Sequence, residues 1–242
     1  MEDKFKFLKG KLLSSRVYPE FFSLKPNDRV INFGCGHGPQ AIIYAGQYKQ
    51  MIGVDINKET LKRSEDAVRI YGVRNYTPLC ASVEEIPLRD NNFDKVIAIG
   101  IIPCVPNPRK LCLEANRLLK ENGEMLINVP TTMYFRFRNV ASKVGRFVLR
   151  RKQKQAPSAE WNPDALRYSL NEWIAIIESC GFKLCKSRAG TLFPPLHLYG
   201  VPRFWFSNDM IHEIDSFFSK MPVLKNCGQD LTCVFIKGKS FS

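Results

Sequence analysis

The chain has 242 residues, 45% of them apolar, and carries a formal net charge of +13. The length suits one large α/β domain with added segments, and no apolar run is long enough to span a bilayer. The charged start is not a secretory signal, and the scattered cysteines form no CxxC pair, so we predict a cytoplasmic protein without a metal site.

The first 28 residues are basic and aromatic, and we predict that residues 1–28 form an N-terminal arm. Its aromatic residues are Phe5, Phe7, Tyr18, Phe21 and Phe22. The arm is expected to pack as a helix on the edge of a sheet, and the alternative is that it covers a bound ligand.

A glycine-rich stretch follows, and the rest of the chain is organised around it. Residues 30–33 are an apolar, β-branched run that predicts a strand, and glycines follow at alternate positions, at 34, 36 and 38. Residues 39–48 predict a helix whose buried face carries Ala41, Ile42, Ala45 and Tyr48. Glycines let the backbone approach a ligand, and a helix N-terminus offers free N–H groups, so this turn favours a carboxylate or a phosphate.

A second short strand, residues 51–55, ends in a carboxylate. Asp55 lies about 20 residues beyond the glycines, the spacing at which a doubly wound fold places an acid on a ribose hydroxyl. The ligand could then be a dinucleotide or S-adenosylmethionine. The alternative is an ordinary tight turn before a helix, with Asp55 as a solvated residue at the end of its strand.

Further strands and helices alternate up to residue 130. The pattern predicts a helix capped by Asn57 and ending near Tyr71, strands at 75–80 and 94–100, a helix at 108–120 and a strand at 124–129. Such alternation predicts a parallel sheet with right-handed crossovers. Ligands bind beyond the carboxyl ends of the strands in such sheets, which would gather Gly34, Asp55, Ser82 and residues 99–104 around one crevice.

The alternation stops at residue 130. Residues 131–159 contain no Asp or Glu and eight basic residues, and apolar residues recur there with helical spacing. We expect a helix that either covers the crevice as a lid or also contacts a membrane through residues 133–152, with nucleic-acid contact not favoured. Beyond it, the pattern predicts a helix at 169–180, strands at 182–189 and 231–236, and a helix at 209–220.

The glycine turn resembles motif I of the class I S-adenosylmethionine-dependent methyltransferases, whose usual form is an acid, any residue, then G-x-G-x-G. Residues 81–87 and 90–94 resemble that family's adenine loop and the start of its fourth strand, and residues 121–124 resemble the start of its fifth. The likeness covers residues 29–129 well and 168–189 loosely. It implies a single α/β domain over residues 1–242. The expected fold is a Rossmann-like, seven-stranded, mostly parallel sheet with helices on both faces, the last strand antiparallel beside the fifth, and a helical lid. Residues 131–168 and 190–228 would be insertions on the acceptor side.

The same resemblance implies which residues hold the cofactor. The turn at Gly34, Cys35, Gly36 and Gly38 would hold the methionine part, Asp55 the ribose, Ile56, Ser82 and Val83 the adenine, and Ile99 and Gly100 the sulfonium. Three positions depart from the family pattern: Asn32 and Ser82 stand where acids are usual, and Cys104 stands where small-molecule members often carry a histidine. Asn32 and Ser82 can still accept hydrogen bonds.

Catalytic residues are not defined by the sequence, because methyl transfer from a sulfonium depends mainly on alignment and on exclusion of water. Tyr168, His197 and His212 are weak candidates for a base, each more expected to pack or to lie on the surface. Packing is also expected for the thiols of Cys35 and Cys104.

We therefore predict S-adenosylmethionine-dependent methyl transfer to a small or lipid-like apolar acceptor, by a cytoplasmic protein with peripheral membrane contact as a further expectation. One alternative is a nucleic-acid methyltransferase, although residues 101–104 are not the N/D-P-P-Y/F tetrapeptide typical of that class. The others are a nicotinamide-dependent oxidoreductase and a non-catalytic module that keeps the fold.

Overall fold

The structure, a computed structural model, describes residues 17–130, 168–189, 217–218 and 230–238. Its strands are β1 (Arg29–Phe33), β2 (Gln50–Asp55), β3 (Tyr76–Cys80), β4 (Phe93–Ala98), β5 (Leu119–Pro130), β6 (Phe182–Ala189) and β7 (Asp230–Lys237). Its helices are α1 (Val17–Phe21), α2 (Pro39–Ile43), α3 (Lys58–Ile70), α4 (Pro108–Leu118) and α5 (Leu170–Glu178), with a 3-10 turn at Ile102–Cys104.

The seven strands form one sheet in the order β3-β2-β1-β4-β5-β7-β6. The first five strands in this order, from β3 to β5, pair in parallel with their neighbours. In contrast, β7 runs antiparallel to both β5 and β6. The predicted mostly parallel sheet, with the last strand antiparallel beside the fifth, is therefore confirmed. Since β1 and β4 lie next to each other but far apart in sequence, the strand order reverses at β1, where open α/β sheets place their ligands.

Apolar residues fill both faces of the sheet, as expected for parallel strands covered by helices. Ile31 and Phe33 of β1 belong to one buried cluster, which Leu111 of α4 and Trp173 of α5 complete. Val30 belongs to a second cluster on the other face.

The N-terminal segment packs on that second face. Phe22 is buried, and its carbonyl oxygen accepts a hydrogen bond from the Tyr44 hydroxyl at 3.0 Å. Lys186 and Arg188 of β6 lie over the ring of Phe21 at 5.0 and 5.3 Å. The described part of the arm thus packs on the sheet rather than standing apart from it.

Local capping sets the helix boundaries. The Asn57 side chain accepts the Thr60 N–H at the start of α3, and Ser169 forms a reciprocal capping box with Glu172 at the start of α5. The predicted Asn57 cap is therefore confirmed, and Ser169 lies at the predicted start of the helix at 169–180.

Several predicted boundaries are wrong by two or more residues, and two of them change an element substantially. The helix expected over residues 39–48 ends at Ile43, because the chain then turns through Gly46 at a φ of 78°, and Tyr44 rather than Ala45 is buried. The fifth strand begins at Leu119, earlier than predicted, since Leu119 already pairs with Phe93 before a register shift.

Lys237 fastens the end of β7 to the end of α4. Its ammonium donates to the Asn91 side-chain oxygen at 2.9 Å and to the carbonyl oxygens of Asn116 and Leu119 at 2.8 and 2.7 Å. Burial lowers the pKa of Lys237 below its ordinary value, but three oxygen acceptors satisfy all three of its protons.

The predicted lid over 131–168, the insertion 190–228 and the residues before 17 lie largely or wholly outside the described residues. Among the helices that the structure describes, none is long and apolar enough to cross a membrane.

Candidate functional site

The glycine turn after β1 is built from left-handed backbone. Gly34, Gly36 and Gly38 have φ angles of 62°, 53° and 74°, which side chains other than glycine rarely adopt. A Cβ on Gly34 would lie 2.5 Å from Cδ1 of Ile101, so the loop after β4 touches this turn directly. A Cβ on Gly36 would meet nothing within 4 Å, and the backbone there faces open space.

Asp55 joins the end of β2 to this turn. One carboxylate oxygen accepts the Gly36 N–H at 3.1 Å, and the other accepts the Asn57 N–H at 3.0 Å. A carboxylate offers about four acceptor positions, so two remain for a ligand. The predicted pairing of glycine turn and acid is thus present as a direct hydrogen bond.

Ile56 follows as an exposed apolar side chain, with 76% of its surface accessible. An exposed isoleucine beside a hydrogen-bonding carboxylate provides an apolar surface for the flat face of a base, the role predicted for it. Gly100 of the β4 loop has a φ of 72°, and a Cβ there would meet nothing within 4 Å. Ile99, just before it, is half-buried and packs against the second core cluster.

The loop after β3 carries the two predicted adenine contacts. Ser82 is exposed, and its hydroxyl accepts the Glu84 N–H at 3.2 Å. Val83 is buried in the core, so any contact from Val83 to a ligand would come from its main chain.

An ion pair on α4 anchors this loop. The Glu114 carboxylate accepts the Ile86 N–H at 2.7 Å and two guanidinium bonds from Arg117 at 2.6 and 2.8 Å. Arg117 in turn donates to the carbonyl oxygens of Ile86 and Leu88, and it pairs with Asp90. The hydrogen bonds to Glu114 raise the pKa of Arg117 above its ordinary value.

Asn32 lies at the bottom of the glycine turn. It is buried, and its amide nitrogen donates to Oε1 of Gln40, also buried, at 3.3 Å. Sequence reasoning missed Gln40, which reads as an ordinary helical residue because its contact with Asn32 forms only when the turn folds back on β1.

A hydrogen-bonded chain that sequence reasoning also missed lies under the turn. The Tyr76 hydroxyl donates to Sγ of Cys35 at 3.3 Å, and it lies 3.0 Å from Oγ of the buried Ser64. Burial raises the pKa of the Cys35 thiol to about 12, which leaves it protonated and unreactive at neutral pH. The prediction that Cys35 packs is confirmed.

Of the three candidate bases, only Tyr168 lies within the described residues. A histidine that was not among those candidates, His37, lies in the glycine turn, where burial lowers its pKa below the ordinary value. The Tyr168 ring packs edge-on against Trp173, with centroids 5.0 Å apart. His197 and His212 lie outside the described residues.

Cys104 lies on the same edge of the sheet as Asp55, at the end of the 3-10 turn after β4. It is exposed by area, yet partial desolvation and then the negative charge of Asp55 raise the pKa of its thiol above the ordinary value. Gly34, Asp55 and Cys104 therefore lie at the same carboxyl edge of the sheet, where Cys104 is a protonated thiol rather than a base at neutral pH. Among the described residues, no group of three or more His, Cys, Asp or Glu residues could hold a metal ion.

A family model described as a methyltransferase domain matches residues 24–168, more than half of the chain. The chain belongs to the methyltransferase domain family. With its sheet order and glycine turn, it is a class I S-adenosylmethionine-dependent methyltransferase, as the sequence predicted.

The sequence relatives of this methyltransferase are distant. It is 28% identical over 162 residues to the uncharacterized protein MJ1123 of Methanocaldococcus jannaschii, a match that covers 67% of this chain and 68% of that protein. It is 28% identical over 100 residues to phosphatidylethanolamine N-methyltransferase of Cereibacter sphaeroides, covering 41% of this chain and 49% of that protein, so about half of that relative is matched.

Among solved structures, the YcgJ protein of Bacillus subtilis matches with a TM-score of 0.61 at 18% identity, covering 94% of this chain and 99% of that one. At this identity the likeness supports the fold and leaves the acceptor open.

The described residues fit the cofactor that this family uses. The open backbone at Gly36 and Gly100 could admit the methionine chain and the sulfonium without a Cβ in the way. The free acceptor positions of Asp55 suit two ribose hydroxyls, and exposed Ile56 suits an adenine face.

Proposed function

We propose that this methyltransferase binds S-adenosylmethionine in the crevice at the carboxyl ends of β1, β2 and β4. The observation that carries the proposal is the hydrogen bond from the Gly36 N–H to Asp55, which joins a backbone cradle to a carboxylate with acceptor positions to spare. S-adenosylmethionine supplies a methyl group on a positively charged sulfur. This chain's residues would hold its two ends and exclude water from the transfer path.

The acceptor in this proposal is a small or lipid-like apolar molecule. Two observations support it: the acid-free, basic stretch at 131–159, rich in aliphatic and aromatic residues, and the likeness to a protein named phosphatidylethanolamine N-methyltransferase. A basic segment suits anionic lipid surfaces, where each Lys or Arg contributes about 1 kcal/mol. Contact with such a surface would bring an apolar acceptor to the crevice.

Calorimetry tests the cofactor part. Wild-type protein is expected to bind S-adenosylmethionine and its demethylated product, S-adenosylhomocysteine, and to give no heat with NADH. Asp55→Ala removes the acceptors for two ribose hydroxyls, each charge-assisted bond being worth about 1.5 kcal/mol, so Kd should rise about 100-fold. Asp55→Asn keeps one side-chain oxygen, so its Kd should lie between those of the wild type and Asp55→Ala.

The matched control is Asp66→Ala, which removes a half-exposed carboxylate of α3 that pairs with Arg69. Its effect on Kd should be small, since exposed ion pairs contribute little. If Asp55→Ala bound the cofactor as well as Asp66→Ala does, the assigned role of the carboxylate would be wrong.

Vesicle assays test the acceptor part. Transfer of a labelled methyl group to lipids extracted after incubation with mixed phospholipid vesicles is expected, and sedimentation with anionic vesicles should exceed that with neutral ones. Replacing Arg150, Arg151 and Lys152 by Gln should weaken sedimentation about 100-fold, from about 1 kcal/mol for each charge. Labelling of water-soluble acceptors alone, with no vesicle binding, would contradict the lipid-like assignment.

A further inference from the structure

Tyr76 crosses from β3 to the underside of the glycine turn. Its backbone is in register with Met51 of β2, and its side chain runs along β2 past Gly53. The hydroxyl ends between Ser64 of α3 and Cys35 of the turn, at 3.0 and 3.3 Å. One side chain therefore links the helix after β2 to the backbone cradle after β1.

Gly53 provides the space for this crossing. A Cβ at residue 53 would lie 2.1 Å from the Tyr76 hydroxyl oxygen and 2.6 Å from two ring carbons, distances that no side chain tolerates. The φ angle of Gly53 is not positive, so backbone conformation does not require a glycine at this position. The tyrosine ring does, because it occupies the space of a side chain there.

Cys35 is the point where this support reaches the cradle. Its N–H donates to the Val54 carbonyl at 2.9 Å, and its own carbonyl accepts the Gly38 N–H at 2.9 Å. Its thiol faces the Gly36 carbonyl at 3.8 Å. The backbone of Cys35 thus ties the turn to β2 and shapes it, while its side chain rests on Tyr76.

We propose that Tyr76 is a positioning residue for cofactor binding, which holds Cys35 so that the Gly36 N–H stays in reach of Asp55 and the turn stays open to the methionine part. The inference rests on the proposed binding of S-adenosylmethionine at this turn. Tyr76 lies beneath the cradle, next to the side of Cys35 that faces the core, and acts on the ligand only through the turn.

Tyr76→Phe removes the hydroxyl and keeps the ring beside Gly53. The loss of the partly buried hydrogen bond to Cys35 should raise the Kd for S-adenosylhomocysteine about tenfold. Amide hydrogen exchange at Gly36 and Gly38 should also become faster. Tyr44→Phe is the matched control, because it deletes the hydroxyl of a buried tyrosine that bonds the Phe22 carbonyl oxygen outside the turn. Tyr44→Phe should lower the thermal midpoint but leave the Kd and the exchange rates at these glycines unchanged.

Cys35→Ala removes the same contact from the other side, and it carries the test if Tyr76→Phe does not fold. Because the two residues act through one contact, the double variant should bind no more weakly than the weaker single variant. Two outcomes would overturn this inference alone. In the first, the wild type binds S-adenosylhomocysteine and Tyr76→Phe has the same Kd. In the second, the effects of the two single variants on Kd add fully in the double variant. Absence of S-adenosylhomocysteine binding by the wild type would overturn the proposed function, and this inference with it.

Discussion

Arg117→Ala tests whether the ion pair on α4 anchors the loop after β3. The Glu114 side chain is 10% exposed and that of Arg117 is 32% exposed, so the pair is partly shielded from water. Removing one partner of a buried pair costs about 3–5 kcal/mol, and partial exposure of Arg117 reduces the expected loss to about 2–4 kcal/mol. The carbonyl oxygens of Ile86 and Leu88 would lose the guanidinium donor at the same time, although the Ile86 oxygen keeps the Leu88 N–H at 2.7 Å.

Urea unfolding followed by tryptophan fluorescence measures this loss as a lower midpoint at constant slope. Glu114→Gln should cost less than Arg117→Ala, because the amide oxygen can still accept the Ile86 N–H. Arg69→Ala is the control: it breaks an exposed pair with Asp66 that contributes about 0.5 kcal/mol or less. If Arg117→Ala destabilised the protein no more than Arg69→Ala, the loop would not depend on this pair.

Two further predictions concern backbone conformation and pH. Gly34→Ala should cost about 1–3 kcal/mol from left-handed backbone, and more from the crowding of Ile101. Gly46 also has a positive φ, but a Cβ there would meet nothing within 4 Å. Gly46→Ala should therefore show only the free-energy cost of the backbone conformation in the same urea assay. Burial opposes ionisation of Asp94, but hydrogen bonds from Lys120 and from a backbone N–H outweigh it and hold the pKa of Asp94 below its usual value. Its contribution to stability should therefore be present above about pH 4 and be lost as the pH falls further. Asp94→Asn should flatten that part of the curve of unfolding free energy against pH. An unchanged curve would contradict the role assigned to Asp94.

Local signals in the sequence predicted the elements that local chemistry defines. Asn57 and Ser169 cap their helices through bonds to residues three positions away, so they can be identified from a short window. The glycine turn and Asp55 could be paired because their spacing along the chain is characteristic of the fold. The place of the last strand beside the fifth came from the family resemblance, since periodicity does not say which strands are neighbours.

Contacts between distant residues could not be predicted from the pattern. Tyr76 and Cys35 are 41 positions apart, and each resembles an ordinary residue of a strand or a turn. The predicted length of α2 was wrong, because helical spacing allows both Tyr44 and Ala45 on the buried face. The Tyr44 hydroxyl has a partner at Phe22 that only the folded arm supplies.

The position of β7 has a consequence for synthesis of the chain. Residues 230–237 lie between β5 and β6, so both of those strands keep an unpaired edge toward the missing strand until the ribosome has released this segment. Open edges of this kind invite pairing with other chains. Nascent or truncated chains that stop short of residue 230 should therefore be the forms that chaperones retain and that aggregate.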